Sequence, residues 1–116
     1  MTEDSLKDLV REYVANTMHE AVVYIHSDRT KNLTHVLDQL RGVCGITTVS
    51  VLEPAAPLSQ HREKTKIKCK FLQTHPSLRV HLKVMREAAR QLPGIHSFQI
   101  LNVHRIETKA KIERNF

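Results

Sequence analysis

The chain has 116 residues, of which 41% are hydrophobic and 4% aromatic, and its formal net charge is +6. This length fits one domain with a single core, and the hydrophobic content exceeds that of a disordered chain. No apolar run approaches the roughly 20 residues of a membrane helix. The acidic N-terminal segment also differs from a secretory signal. We therefore expect a cytoplasmic protein with an aliphatic core and no membrane partner.

The whole chain, residues 1–116, is predicted to form one domain. Residues 3–19 are predicted to form an amphipathic helix, because apolar residues recur there at helical spacing. These residues are Leu6, Leu9, Val10, Tyr13, Val14 and Met18. Residues 20–106 are predicted to form the folded core, and residues 107–116 a charged tail.

Within the core, hydrophobic periodicity predicts strands over 20–27, 46–52, 64–72 and 95–106, and helices over 30–42 and 76–92. The proline-containing residues 53–60 are predicted to form a loop. The third strand has the clearest pattern, because every second residue is a lysine and the residues between them are mostly apolar. The lysines are Lys64, Lys66, Lys68 and Lys70, and the apolar residues are Ile67, Cys69 and Phe71.

Two segments of the chain repeat weakly at an offset of 49 residues. Each has a glycine followed by a strand in which the first, fourth and sixth residues after the glycine are apolar. These residues are Ile46, Val49 and Val51 in one half and Ile95, Phe98 and Ile100 in the other. We expect all six side chains to be buried under the helices.

The segment at residues 40–51, LRGVCGITTVSV, resembles the helix-to-strand corner of small ferredoxin-like domains, including ACT and heavy-metal-associated domains. The resemblance covers roughly residues 20–106. It implies an α+β fold, a ferredoxin-like βαββαβ sandwich with an antiparallel sheet in the order 4-1-3-2 and the helices on one face. The N-terminal helix is an addition to this pattern.

No cofactor, metal ligand or catalytic residue is predicted. Heavy-metal-associated domains carry two cysteines after the first strand, whereas residues 26–29 here contain none. The eight histidines lack the paired spacing of zinc ligands and are interpreted as scattered surface groups, with His75 and His81 on different faces. A Cys44–His96 pair is conceivable for catalysis, but no argument places the two together. The sequence therefore favours a protein that is not an enzyme.

Our first functional hypothesis is a non-enzymatic regulatory or structural module that acts as a homo-oligomer, with a dimer as the first expectation. A small ligand at the subunit interface is part of this hypothesis, as in the modules that the chain resembles. The helix-free sheet face would supply the contacts, because an isolated sheet of this kind leaves one face open. The residues expected there are Tyr24, His26, Thr48, Ser50, Lys66 and Lys68.

The alternative hypothesis is a nucleic-acid-binding module that uses the lysine-rich strand and a basic helix. Residues 23–25 fit the first strand of RNA-recognition modules, but the third strand carries lysines in place of their aromatic residues. The basic residues of the predicted second core helix follow each other at i, i+4, i+7 and i+11, on one stripe. The residues of this alternative are Lys64, Lys66, Lys68, Lys70, Arg79, Lys83, Arg86 and Arg90.

Overall fold

The structure is a computed structural model that describes residues 17–106. Four strands and two helices follow one another along this range: β1 (Met18–Asp28), α1 (Leu33–Leu40), β2 (Ile46–Pro57), β3 (Arg62–Leu72), α2 (Leu78–Arg90) and β4 (Ile95–Arg105). A short 3₁₀ turn, Val43–Gly45, connects α1 to β2. The predicted α+β class is confirmed for these residues.

The four strands form one antiparallel sheet in the order β2-β3-β1-β4, which reads 4-1-3-2 when counted from the β4 edge. Strands β1 and β3 pair along their full length, from Met18 opposite Leu72 to Asp28 opposite Arg62. Among the described strands, β2 and β4 each have one neighbour and form the two edges.

The core lies between one face of the sheet and the two helices. Strand β1 alternates buried and half-buried residues along its whole length, as expected for a strand with one covered face. The buried apolar side chains of the inner strands are Ala21, Val23, Ile25, Ile67, Cys69 and Phe71. They pack against buried residues of the helices, which are Val36 and Leu40 of α1 and His81, Met85 and Ala89 of α2. The opposite face of the sheet is therefore free of described helices.

Side-chain caps fix where both helices begin. The Asn32 side chain accepts a hydrogen bond from the Thr34 amide at 2.9 Å, so α1 begins after residue 32. The Ser77 hydroxyl accepts one from the Val80 amide at 3.4 Å, so α2 begins after residue 77. Both helices are consequently shorter than the predicted ranges 30–42 and 76–92.

Strand β2 differs from the prediction, because it continues through the expected loop as far as Pro57. A proline lacks the amide hydrogen that a central strand needs, but the outer side of an edge strand has no such requirement. Register shifts near residues 51–56 also adapt the strand to its partner. The predicted burial of Val51 is wrong, since this side chain is 45% exposed. It pairs with the inward-facing Ile67, but it lies on the edge strand.

The predicted N-terminal helix, residues 3–19, overlaps the described residues only at its end. Residues 18 and 19 belong to β1 and not to a helix, because they pair with β3. The remainder of that prediction, like the tail at 107–116, lies outside the described residues. Among residues 17–106, neither helix is long and apolar enough to cross a membrane.

Candidate functional site

The face of the sheet opposite α1 and α2 carries the four lysines of β3, and we call it the lysine face. Residues 65, 67, 69 and 71 of β3 are fully buried under the helices, so the alternating lysines point to the other side. On β1, His26 pairs with Lys64, and Tyr24 pairs with Lys66. Val22 pairs with Lys68, and Glu20 pairs with Lys70. The predicted parity of this strand is therefore correct.

Tyr24 lies at the centre of the lysine face, on an inner strand, and is half-buried. The ammonium nitrogen of Lys64 lies 3.9 Å from the centroid of its ring, and that of Lys66 lies 5.7 Å away. Both distances allow a cation–π interaction. The arrangement therefore combines one accessible aromatic ring with two cations beside it.

Carboxylates compensate part of the charge on the lysine face. Lys66 pairs with Glu53 at 3.3 Å, and Lys68 lies 4.0 Å from Glu20. Both pairs are partly solvent-exposed, so each contributes little to folding stability. No such pair is found for Lys64 or Lys70 among the described residues, and cations therefore exceed anions along β3.

The positive charges at one end of this face act on the pKa of His26. Burial lowers the pKa of His26, and the positive charges of Lys64 and Arg62 lower it further. His26 is therefore predominantly neutral at pH 7 and presents a hydrogen-bonding imidazole to the face.

The six residues predicted for the ligand or interface site lie together on the lysine face. Tyr24 and His26 are on β1, and Lys66 and Lys68 are opposite and beside them on β3. Thr48 and Ser50 on β2 pair with Lys70 and Lys68. The Ser50 hydroxyl donates a hydrogen bond to the Lys68 carbonyl oxygen at 3.5 Å.

The basic residues of α2 form a separate surface, which we call the α2 stripe. All four of its members are exposed, and they are Arg79, Lys83, Arg86 and Arg90. Together with Leu78, Leu82 and Ile100, they line shallow grooves between α2 and the edge strand β4. The lysine face and the α2 stripe were predicted to act together, but they lie on opposite sides of the sheet.

A third group of residues meets at the end of the sheet where β3 finishes, and we call it the cysteine–histidine cluster. Potential ligand atoms of Cys44, His75 and His81 all lie within 4.8 Å of one another. The two Nδ1 atoms of His75 and His81 are 3.3 Å apart. The Thr74 hydroxyl oxygen lies 3.3 Å from each of them.

His81 is the buried member of this cluster. Its ring stacks on Phe71 with 4.9 Å between centroids, and its Nδ1 accepts a hydrogen bond from the Thr74 amide at 3.0 Å. Burial lowers the pKa of His81, so the neutral form is favoured. Because Nδ1 is the acceptor, the proton of the neutral ring resides on Nε2.

The interpretation of the histidines as scattered surface groups is wrong for two of them. His81 is fully buried and His19 is 6% exposed. His19 also stacks on Phe71, with 5.2 Å between ring centroids, and it hydrogen-bonds to the Gln73 side chain at 2.9 Å. Both histidines are thus part of the buried core, and each also makes a polar contact there.

The sequence contained one usable signal for the cluster. His81 occurs four residues before Met85 and eight before Ala89, which places it on the buried stripe of α2. Cys44 has no comparable signal, because its position depends on how the turn after α1 packs against α2. The conceivable Cys44–His96 pair does not form: His96 contacts Asp28 at 2.6 Å, whereas Cys44 lies beside the His81 carbonyl oxygen at 3.8 Å.

No model of a known protein family matches the chain. No curated protein matches it at a significant level either.

Proposed function

We propose that this protein binds single-stranded nucleic acid on the lysine face. The observation that supports the proposal is that all four β3 lysines point away from α1 and α2, with Lys64 and Lys66 beside the ring of Tyr24. Alternate residues of a strand are about 6.7 Å apart, so the lysines form a row that an extended polyanion could follow.

The chemistry of this face suits such a ligand. Lysine ammonium groups contact phosphates without reading the sequence, and their contribution falls as salt rises. An aromatic ring on a sheet stacks on a base, and any base presents a suitable surface. Because one aromatic residue is present where RNA-recognition modules use more, we expect weak sequence preference.

Charge also argues against using the lysine face as a self-interface. A two-fold interface places the same patch of both copies together. Lys64 and Lys70, for which no ion-pair partner is found in the described range, would then be desolvated near their own copies. Burying unpaired charges is costly, so an acidic partner fits this face better than a second copy.

The second candidate function is a non-enzymatic regulatory module that acts as a homo-oligomer, with a different interface from the one first expected. Val51 and Leu52 on the edge strand β2 are each 45% exposed. Pairing of two β2 edges would cover these side chains and extend the sheet across a two-fold axis. A small ligand at that interface would lie near Thr48 and Ser50.

Two further inferences accompany these proposals. We infer a ferredoxin-like arrangement, supported by the element order βαββαβ and by the strand order β2-β3-β1-β4. We also infer a cytoplasmic location, supported by the two free thiols of Cys44 and Cys69. A role for Cys44 as a nucleophile is disfavoured, since burial raises the pKa of its thiol.

The proposed function is tested by titrating a labelled mixed-sequence single-stranded oligonucleotide and measuring fluorescence anisotropy over a salt series. We expect Lys66→Gln combined with Lys68→Gln to weaken binding about tenfold or more, because two phosphate contacts are lost. The slope of log affinity against log salt should fall by about 1.4, at about 0.7 per contact for single strands.

The matched control is Lys83→Gln combined with Arg86→Gln, which removes the same charge from the α2 stripe. It should retain most of the affinity of the unmodified protein. Equal losses in the two double variants would contradict the lysine face as the site. Light scattering measures the alternative. A dimer whose mass changes neither with salt nor with added oligonucleotide would favour the homo-oligomeric regulatory module.

A further inference from the structure

We propose that Cys44, His75 and His81 form a zinc-binding site. This inference is independent of the lysine face, which lies on the other side of the sheet. One sulfur and two imidazole nitrogens form a donor set that is well suited to Zn²⁺. A zinc ion held by three protein ligands keeps a fourth position for a water molecule or another oxygen ligand.

The distances in the cluster match a tetrahedral site. Two nitrogens bound to zinc at about 2.0–2.1 Å lie about 3.3 Å apart when the geometry is tetrahedral. The two Nδ1 atoms are separated by 3.3 Å, and the Thr74 hydroxyl oxygen is 3.3 Å from both. The two Nδ1 atoms and the Thr74 hydroxyl oxygen thus form an equilateral triangle. Its dimensions are those of one face of the tetrahedron formed by the four ligand atoms of a zinc ion.

The sulfur of Cys44 supplies the remaining vertex. It lies within 4.8 Å of the histidine ligand atoms, so a small inward movement of the thiol brings it to bonding distance. The Thr74 hydroxyl marks the position of the oxygen ligand, whether zinc binds it directly or through a water molecule. Zinc would also replace the Thr74 amide as the partner of the His81 Nδ1.

The backbone at Cys44 provides independent support. Cys44 has φ 46° and ψ 44°, and it is the single residue other than glycine with a positive φ in the described range. Residues with a Cβ atom rarely occupy this region, and such conformations concentrate at functional sites. The turn therefore holds a cysteine where glycine would be favoured, and it directs the thiol toward α2.

The metal-free alternative is a simple hydrogen bond. His75 Nδ1–H can donate to the Nδ1 of His81 at the observed distance, which would explain the contact without a ligand. The two accounts differ in their dependence on Cys44, because the imidazole hydrogen bond does not involve the thiol.

The experiment is a titration of the reduced, metal-free full chain with Co²⁺, followed by displacement with Zn²⁺. We expect one equivalent of Co²⁺ to produce a thiolate-to-cobalt charge-transfer band, which zinc abolishes. Proton release should accompany binding, since the thiol is deprotonated when it coordinates the metal.

The decisive variant is Cys44→Gly, which removes the ligand and suits the left-handed backbone. It should fold and lose the band, and its thermal midpoint should no longer rise with zinc. His75→Gln should weaken zinc binding about 100-fold. Matched controls are Cys69→Ala and the exposed His35→Gln, which should both retain the band.

A band that persists in Cys44→Gly would overturn the proposal, as would the absence of any band in the unmodified chain. Equal zinc affinity of Cys44→Gly and the unmodified protein would do the same. In these cases the contact between the histidines is the hydrogen bond described above.

Discussion

Among single residues, Gly45 shows how closely the turn before β2 approaches the end of β3. Its φ is +84°, and an added Cβ atom would overlap the carbonyl oxygen of Leu72. Gly42 in the same turn has a similar φ of +91°, but an added Cβ atom there would meet nothing within 4 Å. Substitution of Gly42 therefore tests the backbone preference alone, whereas substitution of Gly45 tests that preference together with the steric overlap.

We expect Gly45→Ala to lower the free energy of unfolding by at least about 2 kcal/mol, because conformational cost and overlap with backbone add together. Gly42→Ala should cost about 1 kcal/mol, which is the conformational part alone. Urea denaturation of both variants measures the difference. Equal losses of stability would show that the contact with Leu72 is relieved easily.

The contact between Asp28 and His96 should make stability depend on pH. His96 Nε2 lies 2.6 Å from Asp28 Oδ1, and this hydrogen bond holds the pKa of Asp28 below its ordinary value. A carboxyl group whose pKa is lower in the folded state stabilises the fold above its unfolded pKa of about 3.9. That contribution is lost as the pH falls through the folded pKa.

We therefore expect the unmodified protein to have a higher melting temperature than Asp28→Asn at pH 5. The difference should shrink as the pH is lowered below about 4, since the carboxyl becomes protonated. Thermal denaturation between pH 5 and pH 2.5 measures it. A difference that stays constant over this range would contradict the role given to Asp28.

Among the elements, β3 is the one that its sequence describes best. A strand with one covered face must alternate, and Ile67, Cys69 and Phe71 are all fully buried between exposed or half-buried lysines. Strand β2 was predicted less well, because the prolines after residue 53 suggested a loop. Their tolerance depends on β2 being an edge strand, which is a property of the sheet and not of the segment.

The cysteine–histidine cluster shows a different limit of prediction. Cys44 comes from the turn before β2, His75 from the connection after β3, and His81 from α2. Their proximity depends on the packing of α2 against that turn. Local spacing could place His81 on a buried stripe, but it could not bring the other two residues to it.

Helix α2 also allows a direct test of its assigned buried face. Met85 is fully buried, whereas Val80 on the same helix is 47% exposed. Met85→Ala should lower the free energy of unfolding by about 2–5 kcal/mol, because a cavity replaces the side chain. Val80→Ala should change it by less than about 0.5 kcal/mol. Similar effects in chemical denaturation would contradict the assigned orientation of α2.

For the whole molecule, the described residues carry two basic surfaces, the lysine face and the α2 stripe, on opposite sides of the sheet. The lysine face combines cations with Tyr24 on a flat sheet, whereas the α2 stripe lines shallow grooves beside β4. Long-range attraction of a polyanion depends on both, because it follows the total charge. Contact should depend on the lysine face, where a ring is available for stacking.

The most direct test of this account is to map the oligonucleotide on the protein by backbone amide chemical shifts. We predict that the largest saturable changes occur at residues 20–26 and 64–70, and that residues 79–90 of the α2 stripe change little. Changes concentrated on the α2 stripe and β4, or no saturable change at low salt, would contradict the lysine face as the binding site.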